Sequence, residues 1–303
     1  MKNNLTLETS QESKKKTKKT AAEWESMKST VVDLIPPEGI TSLNVMGNGG
    51  VFSTITKEER TKYLYPSKED SKLFLDKKFE REFKTSEGYH VILNGPILCQ
   101  DDATILSMVI RIYLDSGYAD GKVKFSYREI ARRMKVPTLS GNKAALLKRS
   151  LGRLYDETIK IYKDGTALWV DRPITELRYV SKGRSSYVEL RLSCDLVDAY
   201  IKREFSIQAI SKIRSMPQLE QFFYRTVTIQ TQNQTTLDMS DLWERTRVAR
   251  VANTWDQLEK EQKESERKKV KRALNGLIRK NILSKNSYFQ KDIILLEIGP
   301  HKI

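Results

Sequence analysis

Phe125-Ser126-Tyr127-Arg128-Glu129-Ile130 and Leu237-Asp238-Met239-Ser240-Asp241-Leu242 follow one pattern: an apolar residue, a capping residue, two spacers, an acid and a second apolar residue. Ser126 with Glu129 reads as a capping box, in which a hydroxyl and an acid three residues on satisfy the free amides at a helix start. A basic helical string follows each block. Lys148-Arg149-Ser150-Leu151 leads to Leu154 and Ile159, and Lys271-Arg272-Ala273-Leu274 leads to Leu277 and Ile282. The blocks lie 112 residues apart and the strings 123, so the second copy carries 11 extra residues, assigned to 252–262. Repetition at this spacing is domain-sized, well above the roughly 20–50 residues of a solenoid unit.

Both copies extend outward in the same order. Ahead of the first block, Asp101 and Asp102 open a helix at the end where its dipole favours acids. Ile105, Met108, Val109 and Ile112 recur at helical spacing, while Leu106, Ile110 and Tyr113 fill another face, as in a helix central to a core. Ahead of the second block, Leu219, Phe222, Phe223, Thr226 and Val227 do the same. Third helices are expected over 142–157 and 265–280. Hairpins follow: 159–163 and 166–170 around Asp164-Gly165, then 176–180 and 186–193 around Lys182-Gly183-Arg184. In the second copy, strands within 282–298 flank Lys285-Asn286-Ser287. Helix, helix, turn, helix, β-wing is the order of a winged helix, whose second motif helix enters the DNA major groove. The sequence therefore predicts an α+β chain with two tandem winged-helix (helix-turn-helix plus β-wing) domains, at 96–205 and 206–303.

Two segments precede them. Residues 1–30 are polar and Lys-rich (Lys14, Lys15, Lys16, Lys18, Lys19) and read as a disordered basic tail. Residues 31–95 form an extension of open function: a hairpin over 41–55 around Gly47-Asn48-Gly49-Gly50, a helix over 68–83, and a strand over 89–93.

The charge is concentrated on the repeat. Residues 122–163 hold 12 Lys/Arg and 3 Asp/Glu, and 265–285 hold 8 and 1, so these two segments account for the chain's whole net charge of +15. An anionic partner follows. On a helical wheel, Ala144, Leu147, Leu151, Leu154 and Tyr155 share the core face of the first third helix, with Asn142, Ala145, Leu146, Arg149 and Arg153 opposite. In the second, Val270, Leu274, Leu277 and Ile278 face the core, with Ser265, Lys268, Arg272, Asn275 and Arg279 opposite. Asn and Arg suit bidentate reading of base edges, and Lys at the margins suits phosphates. The candidate DNA-binding residues are Asn142, Lys143, Lys148, Arg149 and Arg153, the wing-tip pair Lys182 and Arg184, and Lys268, Lys271, Arg272, Asn275 and Arg279.

Other classes find little support. Two His (His90, His301) and two Cys (Cys99, Cys194) do not suffice for a usual structural zinc site, and no His-x-His pair serves metal-dependent nicking. No phosphate-binding Gly-x-x-x-x-Gly-Lys-Ser/Thr loop occurs. No apolar run approaches the ~18 residues of a membrane span, and the lone cysteines suit a reducing cytoplasm. The expectation is a cytoplasmic binding protein, not an enzyme, without cofactor or metal.

The run Gly95-Pro96-Ile97-Leu98-Cys99-Gln100-Asp101-Asp102-Ala103-Thr104-Ile105-Leu106 resembles the entry to the first winged helix of plasmid replication initiators of the TrfA/RepA type. The Phe125 to Ile130 block, Leu151-Gly152-Arg153-Leu154 leading to Thr158-Ile159, and Leu219-Glu220-Gln221-Phe222-Phe223-Tyr224-Arg225 are similar to that family too. The resemblance covers about residues 88–298 and lies in the order of the motifs. It implies binding to origin direct repeats (iterons) in double-stranded DNA, origin opening, recruitment of host helicase and DnaA in theta-type replication, and a monomer–dimer switch. The alternative is a winged-helix transcriptional regulator, including an autorepressor. Direct repeats beside an A·T-rich stretch near the gene would separate the two.

Overall fold

Serine side chains set the helix starts. Ser126 Oγ accepts from the Glu129 amide (3.1 Å), Ser140 Oγ from Lys143 (3.4 Å) and Ser193 Oγ from Leu196 (3.2 Å). In the second copy Asp238 Oδ1 takes the Asp241 amide at 2.7 Å, filling the same capping role. The computed structural model describes residues 28, 31–36, 39–48, 50–54, 79–85, 87–116, 120–134, 140–182, 185–213, 215–229, 234–246 and 254–299. The tail at 1–27, most of the expected 68–83 helix, and Arg184 lie outside these residues.

In chain order the elements are β1 (Gly39–Leu43), α1 (Asn44–Asn48), β2 (Phe79–Lys84), β3 (Tyr89–Gly95), α2 (Gln100–Ser116), β4 (Lys122–Phe125), α3 (Tyr127–Arg133) and α4 (Gly141–Asp156). Then come β5 (Thr158–Lys163), β6 (Thr166–Asp171), β7 (Ile174–Lys182), β8 (Ser185–Leu192), α5 (Cys194–Ile201), β9 (Phe205–Ala209) and α6 (Ile210–Ile213). The chain closes with α7 (Gln218–Ile229), β10 (Gln234–Asp238), α8 (Met239–Thr246), a 3₁₀ turn (Trp255–Gln257), α9 (Lys260–Arg279), β11 (Tyr288–Gln290) and β12 (Ile293–Glu297).

The repeat is visible in the topology. One helix–strand–helix–helix run, α2-β4-α3-α4, is completed by the hairpin β7–β8 in a sheet ordered β4-β8-β7. The second, α7-β10-α8-α9, is completed by β11–β12 in a sheet ordered β10-β12-β11. In each, the last strand of the hairpin pairs antiparallel with the strand after the first helix. Each module has its own apolar cluster, and Met108 of α2 reaches into the second.

Four expectations need correction. The hairpin at 41–55 does not form. β1 instead pairs antiparallel with β9, α1 follows directly, and Gly50 combines a positive φ of 65° with a close approach to Arg245 that leaves no room for a Cβ. Residues 79–83 are strand, not the end of a helix, because Arg81 and Phe83 alternate inward with Glu80 and Glu82 outward against β3. The hairpin around Asp164-Gly165 forms, with positive φ at both turn residues, but it joins the sheet β2-β3-β5-β6 and not the β7–β8 hairpin. The second module's hairpin turns at Lys291-Asp292, both at positive φ, and not at 285–287, where Ser287 instead bonds Ser284 and Glu297. Of the extra residues at 252–262, the described part forms the 3₁₀ turn and lengthens α9 toward its N-terminus.

The described part of the 31–95 segment packs on the first module. Val31, Ile35, Leu43, Met46, Phe83, Val91 and Leu93 belong to that module's core. Residues 53 and 54 also reach α8, where the Thr54 amide meets the Thr246 carbonyl at 3.1 Å and Ser53 Oγ donates to the same oxygen.

Candidate nucleic-acid interface

Both third helices bury one face and expose a basic one. In α4, Leu147, Ser150, Leu151 and Leu154 are buried, while Asn142, Lys143, Ala145, Leu146, Lys148 and Arg149 are exposed. In α9, Val270, Ala273, Leu274 and Leu277 are buried, while Ser265, Lys268, Lys271, Arg272, Asn275 and Arg279 are exposed. Arg149, Lys268 and Arg272 have no acidic partner among the described residues. A surface cation without an acid beside it keeps its full attraction for a phosphate or a guanine edge.

One expected reader is removed from this face. Arg153 turns back to Asp102, donating from Nη2 to Oδ1 at 2.6 Å and from Nε to Oδ2 at 3.2 Å, and its side chain is only 18% exposed. Asp102 also accepts from Ser150 Oγ (2.5 Å) and the Cys99 amide (2.9 Å), and none of its surface is open. Burial opposes the guanidinium charge, but Asp102 outweighs it and raises the Arg153 pKa. A wheel marks Arg153 as off the core face. It cannot show that an acid at the start of α2 stands opposite. Module two repeats the arrangement with other residues: Glu220, third in α7 as Asp102 is third in α2, accepts from Lys280 Nζ at 2.5 Å. Each third helix is thus tied to the first by an acid–base contact near its C-terminus.

The hairpins are placed beside these helices. Tyr179 of β7 donates its hydroxyl to the Lys148 carbonyl (2.9 Å), and Lys148 Nζ sits 4.7 Å from the ring centre. Burial pushes the Tyr179 hydroxyl up to about 12, so it remains a donor. Lys182 ends β7, paired with Ser185. In module two, Lys271 Nζ lies 5.7 Å from the Phe289 ring of β11. Arg267 donates to both oxygens of Asp292 at 2.6 Å, holding the turn against α9. That fork lowers the Asp292 pKa and raises that of Arg267. Sequence reading misses Tyr179, Phe289 and Asp292, because hairpin residues that steady a neighbouring helix carry no periodic signal.

A buried arginine joins the modules. Arg225 of α7 donates to Thr104 Oγ1 of α2 (2.9 Å), Gln208 Oε1 of β9 (3.0 Å) and Ser42 Oγ of β1. Burial lowers its pKa to about 10, against the pull of Tyr200, Tyr224 and Asp101. The Tyr-Arg pair of α7 is therefore architectural: Tyr224 accepts from the Ala209 amide at 3.3 Å beside it. Arg225 ties α7, the first helix of the second module, to α2, the first helix of the first.

The fold and this face define a chain of two like modules, each offering a basic third helix with a β-hairpin alongside. No family model matches the chain, and no curated protein does. It is similar to a crystal structure of selenomethionine derivatives of domain 2 and domain 3 of RctB, with a TM-score of 0.44 and 10% identity over 73% of this chain and 91% of that one. A second crystal structure of RctB domains 2–3, residues 155–483, has a TM-score of 0.43 and 12% identity over 74% and 92%. Among the described residues, no group of His, Cys, Asp and Glu could hold a metal, and no helix is long and apolar enough to cross a membrane.

Proposed function

We propose that this chain is a sequence-specific double-stranded DNA-binding protein that acts as a replication initiator on origin direct repeats. Its two modules act as winged helices, α4 and α9 enter major grooves, and no catalytic step is its own. The observation that carries the reading is the recurrence of one helix–strand–helix–helix–hairpin topology with the same strand order and with the basic face on the same helix. A solvated basic helix can arise once by chance. Twice, on matching elements, it fits a two-handed grip on a polyanion. The readers are Asn142, Lys143, Lys148, Arg149, Lys268, Lys271, Arg272, Asn275 and Arg279, with Lys182 and, close to it in sequence, Arg184. Origin repeats, origin opening and host helicase or DnaA recruitment come from the resemblance to TrfA/RepA-type initiators.

Footprinting on the DNA flanking the protein's own gene tests this. Regular protected direct repeats are expected, and no protection anywhere would remove the reading. If ~8 phosphates are neutralised, the log–log salt slope is roughly −7, and affinity falls about 10⁴-fold between 50 and 200 mM salt. A slope near zero would be incompatible with it.

A further inference from the structure

The exposed face of α4 differs from that of α9 at its centre. Through the 123-residue offset that aligns Lys148 with Lys271, Ala145 and Leu146 stand where α9 has Lys268 and Lys269. Leu146 is 41% exposed, an unusual position for a leucine on a basic helix, and Ala145 beside it is exposed too. Asn142, Ala145, Leu146 and Arg149 recur at i, i+3, i+4 and i+7, so one amide, two apolar side chains and one guanidinium form a single stripe. The cation of Lys148 is drawn aside over Tyr179, at 4.7 Å from its ring centre, which leaves the stripe's middle apolar. The major groove offers one apolar group to such a surface, the 5-methyl of thymine. Amide and guanidinium side chains on either side suit adenine and guanine edges.

We propose that Leu146, flanked by the small Ala145, reads a thymine methyl group, so that the subsite under α4 is specified by apolar contact while the one under α9 is held by charge. This rests on the DNA-binding reading above and names the bases of one of its subsites. Water displaced from a methyl–methyl contact gives a modest preference, about fourfold for each methyl group buried.

The test begins with the footprinted duplex. The α4 subsite is the one whose protection weakens in Arg149→Ala. Each thymine there is replaced in turn by deoxyuridine, which lacks only the methyl. At least one replacement is expected to weaken wild-type binding about fourfold, while replacements under α9 change nothing. Leu146→Ala is expected to bind the thymine and uracil duplexes alike. Leu146→Lys, which copies the α9 residue, is expected to recover affinity, lose the thymine preference and steepen the salt dependence. Because Leu146 is exposed, neither variant should shift the thermal midpoint, which is measured alongside. Equal wild-type affinity for thymine and uracil throughout the α4 subsite would overturn the inference and leave the DNA reading standing. A preference that persists in Leu146→Ala would overturn it as well. Absence of any footprint would instead remove the DNA reading and this inference with it.

Discussion

The two modules share a topology but are stabilised and charged differently. In the first, α4 is locked by a fully buried carboxylate, that of Asp102, which gathers Ser150, Arg153 and the Cys99 amide. In the second, the matching contact between Glu220 and Lys280 lies at the rim, with the Lys280 side chain 37% exposed. The outward faces are opposite in character. The α4 face mixes amide, apolar and basic groups, whereas that of α9 is almost wholly basic from Lys268 to Lys280. A rigidly set helix with varied chemistry is suited to reading bases. A helix rich in cations is suited to holding phosphates, where tolerance of small displacements costs little. On the proposed DNA-binding reading, the repeat keeps one architecture and divides the work.

The sharpest way to break this comparison is at Asp102. Asp102→Ala leaves the partly buried Arg153 guanidinium and the buried Ser150 hydroxyl without their acceptor, and should cost ~3–5 kcal/mol of stability. Urea unfolding monitors it. A loss under about 1 kcal/mol would mean that α4 is not locked through this carboxylate.

Glu157, the residue that closes α4, gives the next largest effect. Its carboxyl is buried and pushed up to about 8, chiefly by that burial, although the Arg81 guanidinium pulls the other way. A pKa raised on folding means that the folded state holds the proton more tightly. The associated stability is fully present below the unfolded value near 4.5 and is lost as pH rises through 8. The wild type should lose stability across that window, at up to ~1.4 kcal/mol per pH unit. Glu157→Gln should flatten the profile and be the more stable protein at pH 9. An unchanged slope would show that Glu157 is already ionised in the fold. The equivalent residue of the second module is Lys280, so no buried carboxyl stands at that place in α9.

Much of this was legible from periodicity. The helices α2, α4, α7 and α9, the caps at Ser126 and Asp238, and the Asp164-Gly165 turn are local features, and local sequence dictates them. What was not legible is pairing at a distance. β1 meets β9 across more than half the chain, and the β5–β6 hairpin joins β3 rather than the hairpin beside α4. Such choices depend on which apolar faces remain uncovered once the helices pack. Arg153 was misjudged for the same reason: the wheel gives its direction, and only the third dimension supplies Asp102. Gly47 to Gly50 carries the composition of a hairpin turn, yet here Gly50 relieves a close approach to Arg245.

On the proposed DNA-facing surface the comparison sharpens further. Arg149→Ala should cost ~1–3 kcal/mol of affinity for the protected repeat and relax preference at one base position. Lys271→Ala should weaken binding to the repeat and to random DNA alike, and reduce the salt slope by about 1. Titrations on both duplexes at several salt concentrations separate the two. Equal loss of sequence preference in both variants would end the division between a reading helix and a holding one.

The smallest effect belongs to Lys280→Ala. Lys280 caps α9, where a cation favours the C-terminal dipole, and it pairs with Glu220 at the rim. Without the lysine, Glu220 still lies in the first turn of α7, where the helix dipole favours a negative charge. Glu220 itself is buried, but the space that Lys280 vacates opens to water, because the lysine side chain is 37% exposed. The cost should stay below about 1 kcal/mol, as for other solvent-reached pairs. The urea midpoint of Lys280→Ala beside that of Asp102→Ala measures the contrast directly. Equal losses in the two variants would show that burial of the acid, rather than exposure of its partner, sets the strength of the tie in both modules.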